Sequence, residues 1–181
     1  MLTRSALVAA LMSIALLAGP GAAVADVSPP GDIPDNQAFV TYRGAGFSLK
    51  TPEGWARTSS RGSVTFADKY NAITVQIRPA TTAPTIASAT GQQLPQLART
   101  VNGFAPGTVT IVRRASGRAI LITYRASSAA SAVTGKRVVN DVERYEFWRR
   151  GKLATITLQA PHGSDNVDAW KLVTDSFRWT P

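Results

Sequence analysis

The chain predicts one α+β domain: a central antiparallel β-sheet with helices packed on it. Three observations carry that expectation. Short runs of alternating apolar and polar residues recur along most of the 181 residues. Turn residues separate those runs, and two stretches switch to helical spacing, one mid-chain and one at the end. The runs follow one another with connections too short for parallel crossovers, so the sheet is antiparallel.

The opening element is Gly46-Phe47-Ser48-Leu49-Lys50-Thr51-Pro52-Glu53-Gly54-Trp55. Phe47 and Leu49 alternate with Ser48 and Lys50, as in a strand with one buried face. Pro52 stops the ladder, Glu53-Gly54 turns the chain, and Trp55 re-enters the interior. A short lead-in strand precedes it over 38–42. Strands over 56–60, 63–69 and 72–79 then form a meander, with turns at Arg61-Gly62 and near Asn71.

From Ile86 the period changes. Ile86, Thr90, Leu94 and Leu97 recur at helical spacing, with Ala87, Ala98 and Val101 beside them. Gly91 and Pro95 weaken this helix and predict a kink or two short pieces. Strands over 109–114 and 118–125 flank a turn at Ser116-Gly117. Residues 126–135, rich in Ser and Ala, read as a mobile loop. A long hairpin follows: 137–149, a turn at Arg150-Gly151, and a return over 152–160. Its returning strand points Ala154, Ile156 and Leu158 inward, and Thr155, Thr157 and Gln159 outward. Ser164 or Asp165 is expected to cap a final helix to about Ser176, with Trp170, Val173 and Phe177 as its apolar stripe.

The first 25 residues read as a secretory signal peptide. Arg4 is followed by the apolar run 6–18, the helix-breaking Gly19-Pro20-Gly21, and a small-x-small site at Ala23-Val24-Ala25. The run is shorter than the roughly 20 residues a spanning helix needs, which argues against an uncleaved anchor. Residues 26–37, with Pro29, Pro30 and Pro34, read as an extended linker, and 38–181 as the domain. The chain has no cysteine, so a lipid-anchored leader, disulfides, thiolate metal sites and a Cys nucleophile are excluded. Net charge is +9, or +8 without the leader, carried by 15 Arg and 5 Lys. Outside the cytoplasm such charge suits anionic neighbours: an envelope protein, a phospholipid surface or a wall polymer. The leader argues against nucleic acid.

Few residues point to catalysis. His162 is the single histidine, in a loop between Pro161 and Gly163, where it is expected to cap the next helix or stand exposed. Asp165 and Asp168 nearby suit a helix N-terminus by charge alone. There is no Gly-x-Ser-x-Gly, no phosphate-cradling loop and no metal-spaced cluster, so neither enzyme activity nor a cofactor or metal is expected. The basic clusters are Arg113-Arg114, Lys136-Arg137, and Arg149-Arg150 with Lys152. Adjacent strand residues face opposite ways, so a doublet makes a patch only at a turn. Glu143 and Glu146 are placed to pair with Arg144 and other arginines. Trp55, Phe66, Trp170 and Phe177 read as core. Trp148 shares a face with Arg144 and Glu146, opposite Tyr145 and Phe147, and one of those sets must lie outside the main core. Trp148, Arg149, Arg150 and Lys152 are therefore the candidate partner-binding residues.

The order of elements, the 47–55 opening, the 137–160 hairpin and the 170–177 helix resemble the PsbP-like fold over about residues 40–180. The extrinsic photosystem protein, the nuclear-import Ran-release factor and many secreted actinobacterial proteins share that fold. The resemblance implies a sheet with helices packed on it, and a binding or assembly role without catalysis. The photosystem protein's metal-linked histidines have no match in a chain with one histidine. The alternative is a small-ligand or lipid carrier, with a pocket between sheet and helix under a 126–135 lid.

Overall fold

The computed structural model describes residues 31–130 and 135–181. The expected signal peptide and the first part of the expected linker lie outside those residues, as does part of the expected mobile loop. Strands β1 (Phe39–Gly44) and β2 (Phe47–Pro52) pair antiparallel, with the short β10 (Arg178–Trp179) on the other side of β2. The main sheet has seven antiparallel strands in the order β3-β4-β5-β9-β8-β7-β6. These are β3 (Ala56–Ser60), β4 (Ser63–Asp68), β5 (Asn71–Pro79), β6 (Ala105–Arg114), β7 (Gly117–Ser127), β8 (Val139–Arg149) and β9 (Lys152–Pro161). The α+β expectation holds, in two sheets instead of one. Both edges of the large sheet discourage further pairing: β3 is exposed throughout and polar after Ala56, and β6 carries Pro106 and a register shift.

The mid-chain helix breaks where Gly91 and Pro95 predict it. α1 (Ile86–Ser88) leads into a π-helical turn (Ala89–Gln93) and then α2 (Leu94–Thr100). Pro95 has no N–H to bond the carbonyl of Gly91, and the Leu94 N–H reaches back five residues to the Ala89 carbonyl. At the start, Thr85 and Ser88 exchange side-chain and backbone bonds in a capping box.

The large sheet is covered on both faces. On one, Ile73, Val75, Tyr145, Phe147, Ile156 and Leu158 pack under β2 and α3 (Val167–Ser176), meeting Phe47, Leu49, Trp170, Val173 and Phe177. On the other, Ile120, Ile122, Tyr124 and Val142 lie against Ala89, Leu94 and Leu97 of the broken helix. Thr155, expected to face water, is 3% exposed beneath that second layer.

Three further expectations are corrected. The loop expected over 126–135 starts later, because Ala126 and Ser127 continue β7 opposite Asn140 and Val139. The cap of α3 is Asn166, not Ser164 or Asp165, and its side chain makes no capping bond. Instead it receives the Ile33 N–H at 2.6 Å and donates to the Gly31 carbonyl at 2.9 Å and to Asn71 Oδ1 at 3.3 Å. Asn71 is correspondingly a buried strand residue, with Lys69-Tyr70 making the turn. These bonds dock the described end of the expected linker, where Ile33 is part of the main core. Gly31 lies so close that a Cβ there would collide with Ser164 Oγ and the Pro161 ring.

Candidate functional site

The β8–β9 hairpin turns through Arg150 at φ 47° and Gly151 at φ 78°, with Arg149 opposite Lys152. Positive φ at both central residues is what a type I′ two-residue hairpin turn requires. The turn is also held from the side. Ala80 N–H donates to the Gly151 carbonyl at 2.9 Å, and the Trp148 indole N–H donates to the Ala80 carbonyl at 2.9 Å. The polar edge of Trp148 is thus committed to the fold, while the residue stays 37% exposed. Tyr145 and Phe147 are the core set, so Trp148 lies outside the main core as one of the two sets had to.

Strand pairing adds cations that are distant in the chain. Arg113 pairs with Arg118, Trp148 with Leu153, and Leu153 with Arg78. Ala119 sits opposite Phe147, which brings Arg118 level with Trp148. One row across five strands therefore carries Arg113, Arg118, Trp148 and Arg78, next to Arg149, Arg150 and Lys152 at the hairpin tip. All six cations are exposed, and among the described residues none has a carboxylate within 4 Å. Without local compensation their fields add at this end of the sheet.

Two other arginines are absorbed by the fold. Arg114, on the opposite face from Arg113, donates to Thr174 Oγ1 at 2.9 Å and Tyr145 Oη at 3.0 Å, and lies 3.7 Å from Asp175. Arg144 pairs with Glu146 at 3.2 Å, as its position suggests. Glu143 instead receives the Tyr145 hydroxyl at 2.6 Å.

Burial, followed by the hydrogen bond to Glu143, pushes the Tyr145 phenol up to about 12. The folded state therefore keeps a proton that the unfolded chain releases near pH 10. That contribution is full below pH 10 and is lost as pH rises toward 12. Tyr145→Phe removes this dependence and two hydrogen bonds. Its stability difference from wild type should be largest near neutrality and shrink between pH 10 and 12 in urea titrations. A difference constant over that range would refute the assignment.

His162 does not cap α3. Its Nδ1 lies 2.8 and 2.9 Å from the two Asp141 carboxylate oxygens, and Gly163 N–H donates to Asp141 Oδ2 at 3.2 Å. Ser164, the nearest hydroxyl in sequence, has its Oγ buried beneath Gly31. Beside it a crevice of about 420 Å³ opens between the sheet and the start of α3, lined by Tyr124, Arg125, Asp141, Glu143, Asn166 and Trp170. No group of three or more His, Cys, Asp or Glu side chains able to hold a metal occurs among the described residues. Nor is any helix among them long and apolar enough to cross a membrane.

No protein-family model matches the chain, and no curated protein matches its sequence. Solved structures do match in shape. The solution structure of cyanobacterial PsbP from Synechocystis has a TM-score of 0.54 at 17% identity, covering 90% of this chain and 100% of the other. The Ran-binding protein Mog1p of Saccharomyces cerevisiae has a TM-score of 0.51 at 10% identity, covering 80% and 95%. A protein of unknown function from Pseudomonas aeruginosa has a TM-score of 0.50 at 17% identity, covering 79% and 98%. Identities this low establish shape alone, and the shape is the one the sequence resembles.

Proposed function

We propose that this chain, which has the fold of PsbP and Mog1p, is a non-enzymatic binding or assembly module of the cell envelope. In this reading it docks an anionic partner through the basic end of its large sheet. The observation that supports it is the gathering of Arg78, Arg113, Arg118, Arg149, Arg150 and Lys152 around the half-exposed ring of Trp148. Cations with no local partner attract a partner's anions without first breaking internal ion pairs. The aromatic ring adds contact area at small entropic cost because its indole N–H is already anchored. The partner is an acidic face of an envelope protein, an anionic lipid surface or a wall polymer, reached after secretion by the N-terminal leader.

Cross-linking pull-down from isolated envelope fractions tests this with wild type and the Arg149→Gln/Arg150→Gln/Lys152→Gln variant. Each lost charge contact is worth on the order of 1 kcal/mol at low salt, so capture should fall about a hundredfold. Wild-type capture should weaken as salt rises. Equal capture by the two proteins across the salt series would sink the reading.

The crevice beside α3 favours a second reading, a small-ligand carrier, because its volume suits one small molecule. Arg125, Asp141 and Glu143 in its wall suit a polar ligand and not a lipid chain. The expected lid cannot include Ala126 and Ser127, which are strand, and residues 131–134 lie outside those described.

A further inference from the structure

The basic end extends beyond the β8–β9 hairpin. Arg61 occupies the β3–β4 turn, where the Gly62 carbonyl accepts the Ile77 N–H at 3.0 Å, so this turn lies alongside Arg78. In the small sheet Arg43 pairs with Ser48, and Ser48 with Arg178. The Ser116 hydroxyl of the β6–β7 turn donates to the Phe177 carbonyl, which brings Arg178 to the same end. Arg43, Arg61 and Arg178 are exposed and, like the six cations around Trp148, have no carboxylate within 4 Å among the described residues.

The exposed carboxylates gather at the other end of the strands. Asp68 pairs with Asn71, which bonds Asn166 at the start of α3. Asp165 and Asp168 flank that start, Asp32 accepts the Asp165 N–H at 2.9 Å, and Asp141 pairs with Ala160 just before it. Of the carboxylates on the described residues, Glu146 and Asp175 come nearest the basic end. Both are held internally, the first by Arg144 and the second by Arg114 and Lys171. Charge is thus separated along the strand axis, and one orientation toward an anionic surface is favoured over all others.

Exposed apolar side chains stand among the free cations. Ile111, 44% exposed, is two residues from Arg113 and on the same face of β6. Ile86, 43% exposed, opens α1, which packs against β6. Trp148 lies in the row of Arg113 and Arg118. Arg149 and Lys152, one residue further along, point to the opposite face of the sheet. Cations therefore project from both faces, and the five strand spacings from β4 to β6 spread them over about 24 Å. A single polymer strand follows one line and offers isoleucine no apolar counterpart. A lipid headgroup layer is extended and laterally mobile, so its anions collect under each cation, and its interface accepts isoleucine and indole.

We propose that the protein binds an anionic phospholipid surface end-on, tilted toward the face of the broken helix so that Ile86, Ile111 and Trp148 reach the interface. This rests on the basic end being a docking surface and names what docks there.

The test mixes the exported protein with vesicles of phosphatidylcholine alone or of equal parts phosphatidylcholine and phosphatidylglycerol, read by cosedimentation at low salt. Inorganic polyphosphate, read by calorimetry, serves as the soluble polyanion. The mixed vesicles should bind wild type and the neutral ones should not. Arg149→Gln/Arg150→Gln/Lys152→Gln should lower the partition about a hundredfold. Arg57→Gln/Lys69→Gln/Arg125→Gln removes as much charge from the other half of the strands and should lower it less than about threefold. Ile86→Ser/Ile111→Ser keeps every charge and should lower vesicle binding about tenfold while leaving polyphosphate binding unchanged. Every substituted side chain is exposed, and equal urea midpoints establish that the variants are folded alike. Equal losses from the two charge triples would mean attraction by net charge without orientation. Wild-type vesicle binding by the isoleucine variant would mean no contact with the apolar interface. Either result, or equal binding to neutral vesicles, overturns the lipid surface. If vesicles do not bind while polyphosphate binding or envelope cross-linking still depends on Arg149, Arg150 and Lys152, the lipid surface is overturned and the docking surface stands, for a polymer or a protein. If neither vesicles, polyphosphate nor envelope capture distinguishes wild type from that triple variant, both readings fall.

Discussion

Phe177→Ala is expected to destabilise the protein by about 3–5 kcal/mol, the range for deleting a fully buried phenyl ring. The side chain is 0% exposed, immediately after α3 and before β10. Its ring centroid lies 5.1 Å from that of Phe147 in the large sheet, 6.3 Å from Phe47 in β2 and 5.3 Å from Trp179 in β10. Its carbonyl accepts the Ser116 hydroxyl from the β6–β7 turn. The helix and both sheets thus meet at one ring. A void there cannot close by moving one element without pulling it off another, which puts the cost toward the upper end. Phe177→Leu keeps most of the volume and should cost under about 1.5 kcal/mol. Urea unfolding reads the difference as a fall in midpoint at constant slope. An alanine variant within about 1 kcal/mol of wild type would show that the two sheets are not joined through this residue.

The elements legible in the sequence are those whose signal is local. The turn at Arg150-Gly151 is one, since few dipeptides accept positive φ twice in a row and a glycine between two β-rich runs announces it. The break between Ile86 and Val101 is another, because a proline's missing N–H acts on its own helix. Alternation likewise found the inward face of β9. It misplaced Thr155 because alternation distinguishes polar from apolar, not wet from dry. The helical layer lies across the polar face, where Thr155 and Glu146 are both buried, and only strand register places Thr155 opposite Glu146. Ile33 was invisible for a related reason: one apolar residue among prolines and aspartates has no period, and its bonding partner is 133 residues away. The candidate surface divides the same way. Arg149, Arg150 and Lys152 are contiguous and were legible as a cluster. Arg78 and Arg118 join them only through pairing with strands far along the chain. Arg113 was visible, but as half of a doublet whose other half, Arg114, turns to the opposite face and bonds the α3 side.

Asn166→Ala tests the least legible of these contacts. The residue is 3% exposed and ties three parts of the chain together: its own helix, the Gly31–Ile33 segment and Asn71 of β5. Its removal orphans the Ile33 N–H, whose bond to Asn166 is buried. It also takes the amide donor from Asn71. An unsatisfied buried polar group costs about 1–3 kcal/mol, so two of them, partly relieved by local movement, place the loss at about 2–4 kcal/mol. The loss should not be uniform. Residues 31–37 contribute the Ile33 side chain to the main core but no strand to either sheet, so this segment should detach before the sheets unfold. Amide hydrogen exchange should show Ile33 N–H losing protection in the variant while Ile156 and Tyr145 keep theirs, and limited proteolysis should cut near Pro34–Gln37 first. Should wild type and variant share the same unfolding midpoint and the same Ile33 protection, the segment is a tether lying on the surface, and the domain begins at β1 as the linker expectation has it.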